Sequence, residues 1–169
     1  MTEILAIIAV LIGALFMVKS SSPPTVNYDI FFQKWGSAYN VDWRLLKAIA
    51  WHESDFDPNA VNPSDPSIGL MQILCSGYTD KATTCTNTLY VNDWPPPTCA
   101  KLFDPDYNVK IGAQIMASNI ANYGYQKAIA VYNDWSARND PPSGPFRNQA
   151  YVDDVNNKWQ SLINATGGK

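Results

Sequence analysis

Apolar residues recur every three or four positions along most of the chain beyond residue 27, and this spacing is typical of amphipathic helices. It predicts five helices, over residues 28–39, 43–54, 105–123, 126–132 and 148–162. A further short helix is expected to begin within residues 70–74. No run of alternating apolar and polar residues indicates a β-sheet, so we predict a mainly helical domain.

Residues with capping chemistry stand at several of the predicted helix ends. Asp42 is placed to cap the second helix, and Asp104 followed by Pro105 to begin the third. Gly124 is expected to end the third helix, because glycine is common just after helix ends. Ser54 is expected to end the second, since the sequence that follows is Asp-Phe-Asp-Pro-Asn and the residue before a proline avoids helical geometry.

The N-terminal segment differs in kind from the rest of the chain. Residues 4–18 form an unbroken apolar run, followed by Lys19 and then by Ser-Ser-Ser-Pro-Pro. The run is shorter than the about 20 residues that usually span hydrocarbon, yet it lacks the basic start and the Ala-x-Ala site of a typical signal peptide. We favour an uncleaved membrane anchor over a cleaved signal for residues 1–19, with a tether over 20–26 and one folded domain over 27–165.

Composition and charge narrow the classes of partner. The chain is acidic overall, with a net charge of -3 and a pI of about 4.9. It shows no basic stripe of residues that would neutralise phosphates, so nucleic acid is not an expected partner. No group of His, Asp and Glu has metal-ligand spacing, and we expect no metal or other cofactor. Cys75, Cys85 and Cys99 match no zinc pattern. In an exported protein they predict one disulfide that staples a loop, with the pairing open and one thiol left over.

Glu53 is the candidate for chemistry, because it lies in the last turn of a largely apolar helix. Partial burial there disfavours the charged carboxylate and is expected to raise its pKa, and the nearby helix C-terminus acts in the same direction. A carboxyl of this kind suits general-acid catalysis on a glycosidic oxygen. Taken alone the position is weak evidence, since most such glutamates are solvated. Its neighbour His52 points about 100° away around the helix and is interpreted as a packing residue.

Five segments in a fixed order strengthen this hypothesis. They are Trp-His-Glu-Ser-Asp-Phe-Asp-Pro-Asn-Ala-Val at 51–61, Gly-Leu-Met-Gln-Ile at 69–73, Asp-Pro-Asp-Tyr-Asn-Val-Lys-Ile-Gly at 104–112, Ala-Val-Tyr-Asn at 130–133 and Tyr-Val-Asp-Asp-Val at 151–155. Together they resemble the motifs of SLT-type lytic transglycosylases, which are related to goose-type lysozyme. The resemblance implies a lysozyme-like helical fold and an enzyme that cleaves the β-1,4 bond between MurNAc and GlcNAc in peptidoglycan without consuming water. The product would carry 1,6-anhydroMurNAc ends.

The resemblance also implies a role for individual side chains. Glu53 would protonate the leaving oxygen and then accept the proton of the attacking 6-hydroxyl group. Met71 would line the sugar subsite, and Gln72 would donate its amide to the sugar or to its N-acetyl group. Tyr132 would lie within hydrogen-bond reach of Glu53.

Three further residues complete the predicted substrate-binding set. Ser54 would cap the helix end or support the loop that follows. Asn133 would hold the turn after Tyr132, and Tyr151 would form part of the wall of the cleft.

Two other functions remain open at this stage. A hydrolytic muramidase needs a second carboxylate across the scissile bond, and the candidates are Asp55, Asp57, Asp65 and Asp134. Asp134 stands out because Asp134-Trp135 replaces the small residue and glycine common in the family. A non-catalytic wall-binding or assembly protein is the other alternative.

The expected partners are peptidoglycan glycan strands and, through residues 4–18, a membrane. The expected location is the bacterial cell envelope, with a phage particle as the alternative. Partners in a secretion, conjugation or phage-assembly apparatus are also conceivable.

Overall fold

The computed structural model describes residues 27–62, 64–75 and 99–167. Within these ranges it contains five α-helices, two 3₁₀ helices and one small hairpin. The α-helices are α1 (Asp29–Tyr39), α2 (Trp43–Ser54), α3 (Pro105–Tyr123), α4 (Tyr125–Asn133) and α5 (Gln149–Ala165). The 3₁₀ helices are Cys99–Phe103 and Trp135–Asn139. The predicted mainly helical fold is therefore confirmed.

Helix ends fall where the capping residues predicted them. The side chain of Asp42 accepts a hydrogen bond from the backbone N–H of Arg44 at 2.9 Å, which satisfies one unpaired amide at the start of α2. Asp104 does the same for α3, accepting from the amides of Asp106 at 2.9 Å and Tyr107 at 3.3 Å. Helix α2 ends at Ser54, as the sequence predicts.

The short helix expected at residues 70–74 is not formed, and this prediction was wrong. Strand β1 (Ser67–Ile68) pairs antiparallel with β2 (Ile73–Leu74), and residues 69–72 make the connecting turn. Gly69 and Gln72 both have positive φ angles, 78° and 46°, and this geometry stops a right-handed helix. A short apolar run cannot distinguish the two structures by periodicity alone. The 69–72 turn lies beside the end of α2, where it shapes the site.

Helix α2 runs through the centre of the core. Its buried face has no solvent exposure at five positions: Leu45, Leu46, Ala48, Ile49 and Ala50. Helices α1, α3 and α5 all pack against it. Because apolar burial supplies most of the stability of such a domain, the C-terminal turn of α2 is rigidly placed. Glu53 stands on this turn.

One disulfide joins the end of the hairpin to the first 3₁₀ helix. Cys75 and Cys99 are both buried and bonded, across a sequence separation of 24. Closing a loop of this length restricts the unfolded chain and stabilises the fold by about 3 kcal/mol. The predicted disulfide is thus confirmed for this pair, and Cys85 lies outside the described residues.

The predicted anchor at residues 4–18 and the tether at 20–26 also lie outside the described residues. In the part of the chain that the structure describes, no helix has the length and apolar composition needed to cross a bilayer.

Candidate active site

Glu53 lies half-buried in the last turn of α2, with its carboxyl facing α5. Its Oε1 accepts a hydrogen bond from the hydroxyl of Tyr151 at 2.7 Å. Burial raises the pKa of Glu53 above its ordinary value of 4.5. The Tyr151 hydrogen bond and the charge of His52 act in the opposite direction without cancelling the effect of burial. The carboxyl therefore keeps its proton to higher pH than a solvated glutamate does, as the sequence predicts.

Ser54, the residue after Glu53, links α2 to the 69–72 turn by a hydrogen bond. The hydroxyl of Ser54 lies 2.8 Å from the carbonyl oxygen of Leu70 and 3.2 Å from that of Ala50. Its single proton favours the shorter contact, since a hydroxyl donates one hydrogen bond at a time. Ser54 thus supports the loop, which is one of the two structural roles expected of it.

Tyr132 interacts electrostatically with Glu53, but its hydroxyl has another hydrogen-bond partner. Its hydroxyl donates to the carbonyl oxygen of Met71 at 2.8 Å, and the hydroxyl that donates to Glu53 belongs to Tyr151. The reason is that the 69–72 turn leaves the Met71 carbonyl facing α4, where Tyr132 satisfies it. Burial, and after it the negative charge of Glu53, hold the pKa of both tyrosines well above 10.0. Both hydroxyls remain protonated donors.

The side chain of Met71 is completely buried, so it does not line an open subsite as predicted. It packs against Gly112 of α3, where a Cβ would lie only 2.3 Å from its sulfur. Helix α3 therefore needs a glycine at this point to let the turn approach. The backbone of Met71, held by Tyr132, is what the residue contributes to the site.

Gln72 also differs from the expectation. Its side-chain Nε2 donates to the carbonyl oxygens of Ala60 at 3.2 Å and Gly69 at 3.0 Å. Because both contacts are carbonyls, the amide nitrogen must face them, and neither N–H is left for a sugar. Among the described residues no donor contacts Oε1. The half-buried Gln72 is thus placed to accept a hydrogen bond from a ligand and not to donate one.

Asn133 stands at the last position of α4 and links that helix to α5. Its Oδ1 accepts from Nδ2 of Asn148 at 2.9 Å, and the same Nδ2 lies 2.9 Å from the carbonyl oxygen of Ala130. Asn148 comes immediately before α5, the helix that carries Tyr151. Asn133 therefore holds the turn after Tyr132, and it keeps the two tyrosines on adjoining helices.

Asn108 is a site residue that the sequence interpretation missed. It is fully buried in α3, accepts from the amide of Met71 at 2.8 Å, and donates to the carbonyls of Ile68 and Leu102, both at 2.8 Å. One side chain thus links strand β1, the 69–72 turn and the first 3₁₀ helix. The available signal was a polar residue on the apolar face of a predicted helix, four positions before Gly112.

Two of the alternative carboxylates accept hydrogen bonds from nearby backbone amides. Asp134 accepts from the amide of Ser136 at 2.8 Å and so caps the second 3₁₀ helix. Asp57 accepts from the amide of Asn59 at 2.8 Å within the loop. Asp55 is exposed in left-handed geometry after α2. Turn formation therefore accounts for each of them.

His52 is more than a packing residue. Its side chain is 34% exposed, and Nδ1 lies 2.5 Å from Oδ2 of Asp154 on α5. Its ring meets that of Tyr151 edge to face, with centroids 4.6 Å apart. The sequence could not reveal this, because the contact joins residues 102 positions apart.

Among residues 27–62, 64–75 and 99–167, no group of three His, Cys, Asp or Glu side chains could hold a metal ion.

A family model described as the transglycosylase SLT domain matches residues 30–141. The chain belongs to this family. The matched segment includes all the predicted site residues except Tyr151, which follows it. The resemblance of the five sequence segments is thus confirmed at the level of the family.

Solved structures of lytic transglycosylases have a similar fold. The 70 kDa soluble lytic transglycosylase of Escherichia coli matches with a TM-score of 0.63 and 23% identity, over 85% of this chain and 25% of that chain. A complex of the 70-kDa enzyme with bulgecin A gives a TM-score of 0.58 and 22% identity, over 83% and 24% of the two chains. An inactive glutamate-to-glutamine mutant of lytic transglycosylase Slt from Pseudomonas aeruginosa gives 0.59 and 15%, over 82% and 24%. The protein spans about a quarter of the length of these relatives and shares their fold.

Proposed function

We propose that this protein is a peptidoglycan lytic transglycosylase in which Glu53 is the single catalytic acid and base. The observation that carries the proposal is a carboxyl with a raised pKa, hydrogen-bonded by Tyr151, in a chain of the SLT family. A relative in which a glutamate is replaced by glutamine is inactive, which agrees with a catalytic glutamate in this fold.

The raised pKa suits the first step of the reaction. Protonated Glu53 donates its proton to the glycosidic oxygen as the bond from that oxygen to C1 of MurNAc breaks. GlcNAc leaves as a neutral alcohol, and positive charge develops on the MurNAc ring. A solvated glutamate with an ordinary pKa of 4.5 holds too little proton for this step at neutral pH.

The Tyr151 hydrogen bond suits the second step. The Glu53 carboxylate formed in the first step is stabilised by the tyrosine hydroxyl 2.7 Å away. It then removes the proton of the MurNAc 6-hydroxyl as that oxygen attacks C1 and closes the 1,6-anhydro ring. Glu53 regains its proton, so the cycle balances with no water consumed.

Gln72 and the turn that carries it give the glycan its polar contact. Oε1 of Gln72 can accept the N–H of an N-acetyl group, because both of its own amide hydrogens are bound to backbone carbonyls. This replaces the donor role expected from the sequence. Residues 69–72 keep this geometry because Ser54, Asn108 and Tyr132 each bind their backbone.

A hydrolytic muramidase is the alternative within the enzymes. Inverting and retaining glycosidases both place a second carboxylate across the bond, and Asp134 is the residue for that role. Its hydrogen bond to the Ser136 amide gives it a capping function instead, which favours the non-hydrolytic reaction.

We further propose that the domain acts in the bacterial cell envelope, held at a membrane by residues 4–18. The apolar run ends nine residues before the first described residue, Asn27, so a membrane-held enzyme would reach wall glycan close to the bilayer. A phage particle that breaches the wall would need the same reach.

Mass analysis of the muropeptides released from purified sacculi by the full chain tests the reaction. Fragments lighter than the reducing-end products by one water molecule are expected from the wild type, and none from Glu53→Gln. Reducing ends would identify a muramidase. Equal release by Glu53→Gln would leave only a wall-binding function.

A further inference from the structure

A line of side chains outside the proposed chemistry connects the surface of α5 to Glu53. Lys158 and His52 both contact Oδ2 of Asp154, each at 2.5 Å. Hydrogen bonds from Lys158 and then His52 hold the pKa of Asp154 below its ordinary value of 3.8. Asp154 is therefore a stable anion that holds the imidazole at Nδ1.

The His52 ring also contacts Tyr151. The two rings meet edge to face, at 4.6 Å between centroids and 78° between planes, which is a favoured aromatic geometry. The hydroxyl of Tyr151 in turn donates to Oε1 of Glu53 at 2.7 Å. The Tyr151 ring thus stands between an imidazole that is itself held in place and the carboxyl that does the chemistry.

We propose that His52 is a positioning residue: fixed by Asp154, it packs against the ring of Tyr151 and keeps the Tyr151 hydroxyl on Glu53. The inference rests on the proposed function of Glu53. It adds His52 and Asp154 as the side chains that hold the Tyr151–Glu53 hydrogen bond in place. Rotation of Tyr151 about its Cα–Cβ bond would carry the hydroxyl out of hydrogen-bond range, whereas rotation about Cβ–Cγ leaves the oxygen on the ring axis. The His52 ring is therefore needed to oppose the first of these rotations.

The network is partly solvated, which makes positioning its main contribution. The side chains of His52, Asp154 and Lys158 are 34%, 41% and 21% exposed. Ion pairs at such exposure add little to stability. Their removal should consequently change catalysis more than folding.

The titratable groups around Glu53 come from three helices. Helix α2 contributes His52, and α5 contributes Asp154 and Lys158. The neutral hydroxyls of Tyr132 on α4 and Tyr151 on α5 complete the titratable groups. The electrostatic interaction with His52 lowers the pKa of Glu53, so a ring that cannot carry a charge at position 52 should shift the high-pH limb of the activity profile upward. The ring contact of His52 is thus measured by kcat, and its electrostatic effect by the position of the high-pH limb.

The test compares His52→Ala, His52→Phe and Asp154→Asn in the full chain acting on purified sacculi. His52→Ala should lower kcat about five- to tenfold and change KM by less than about twofold, as expected for loss of an aromatic contact that orients a catalytic hydrogen bond. His52→Phe restores the ring and should recover kcat, with the high-pH limb moved upward. Asp154→Asn should lower kcat about threefold, since the imidazole loses the anchor that holds it against the Tyr151 ring.

Asp153→Asn is the matched control, because Asp153 is an exposed carboxylate one position away on the same helix. It should leave kcat unchanged. The proposal is overturned if His52→Ala keeps full kcat, if His52→Phe is as slow as His52→Ala, or if Asp153→Asn slows the enzyme as much as Asp154→Asn does.

A second measurement separates this proposal from the proposed function. His52 is the only histidine in the chain, so its ring protons give unique NMR signals. They should be shifted by the Tyr151 ring in the wild type, and the shift should shrink in Asp154→Asn and be unaffected in Asp153→Asn. This result would support positioning even if sacculi were not cleaved. An unshifted imidazole would reject it even in an active enzyme.

Discussion

The two sides of Glu53 are built from different interactions. On one side the 69–72 turn is held by neutral hydrogen bonds from Ser54, Asn108 and Tyr132, and Asn108 has no solvent exposure. On the other side Tyr151 is backed by His52 and then by charged residues of α5 that remain partly exposed. In the proposed function, the first side would fix where a glycan contacts the protein, and the second would adjust the proton on Glu53.

This contrast has a physical reason. A buried neutral hydrogen bond is insensitive to pH and salt, and it becomes costly when one partner is lost. A half-exposed charge pair stabilises little, yet its field reaches a neighbouring carboxyl. A site that must both hold a sugar and move a proton needs the two kinds of support in different places.

Glu53→Gln should give the largest effect, because it removes the group on which both sides converge. The amide has nearly the same shape but cannot transfer a proton. Glycan cleavage should fall by about 10²- to 10⁴-fold, the usual contribution of general acid–base catalysis. Release of soluble muropeptides measures it, and circular dichroism should show an unchanged fold. A variant within about threefold of wild type would remove Glu53 from the mechanism.

Asn108→Ala tests the neutral side. It leaves the Met71 amide and the carbonyls of Ile68 and Leu102 buried without their partner. The free energy of unfolding should drop by about 3 kcal/mol or more, and activity should fall at every pH alike. Denaturant titration measures the loss. Asn122→Ala on the same helix, where the side chain is exposed, should cost less than about 0.5 kcal/mol. Equal losses in the two variants would contradict the role given to Asn108.

Tyr151→Phe tests the side that sets the charge. Removing the hydroxyl deprives the Glu53 carboxylate of its hydrogen bond and should lower kcat about tenfold, as expected for a bond to a charged group. The Tyr151 hydrogen bond lowers the pKa of Glu53, so its loss must raise that pKa further. The high-pH limb of the activity profile should therefore move to higher pH. Tyr132→Phe should leave the limb in place, because its hydroxyl binds Met71. A limb that moves in Tyr132→Phe but not in Tyr151→Phe would reverse the two assignments.

The stability of Glu53→Gln gives a smaller effect with a defined sign. Because the pKa of Glu53 is raised in the folded state, that state holds the proton more tightly than the unfolded chain does. The contribution of Glu53 to wild-type stability is therefore largest below the ordinary value of 4.5 and is lost as pH rises through the folded pKa. Glu53→Gln should unfold at a higher denaturant concentration than wild type at neutral pH, and the two midpoints should converge in acid. A variant less stable at neutral pH would show that the carboxylate is not penalised by burial.

Local chemistry explains which parts of the fold could be predicted from sequence. Asp42, Asp104 and Ser54 mark helix ends through interactions within a few residues, and these boundaries agree with the structure. The position of Glu53 at the end of an apolar helix also predicted the direction of its pKa shift.

Long-range contacts explain which parts could not. Tyr132 donates to the Met71 carbonyl because of the direction in which that carbonyl points, and the direction follows from a turn with positive φ at Gln72. Tyr151 is the tyrosine that donates to Glu53. The role of Asn108 depends on contacts with residues up to 40 positions away. The family motifs identify the segments that meet at the site, but they do not determine which hydroxyl reaches which oxygen.

The protonation of Glu53 can be followed directly, because Glu3 is the only other glutamate in the chain. Selective ¹³C labelling of glutamate carboxyls should give two titrating signals, and Glu3→Gln assigns the one from Glu53. We expect a midpoint above 4.5 for Glu53, moving higher in Tyr151→Phe. A midpoint at or below 4.5 that ignores the loss of the Tyr151 hydroxyl would contradict a buried, tyrosine-bound acid.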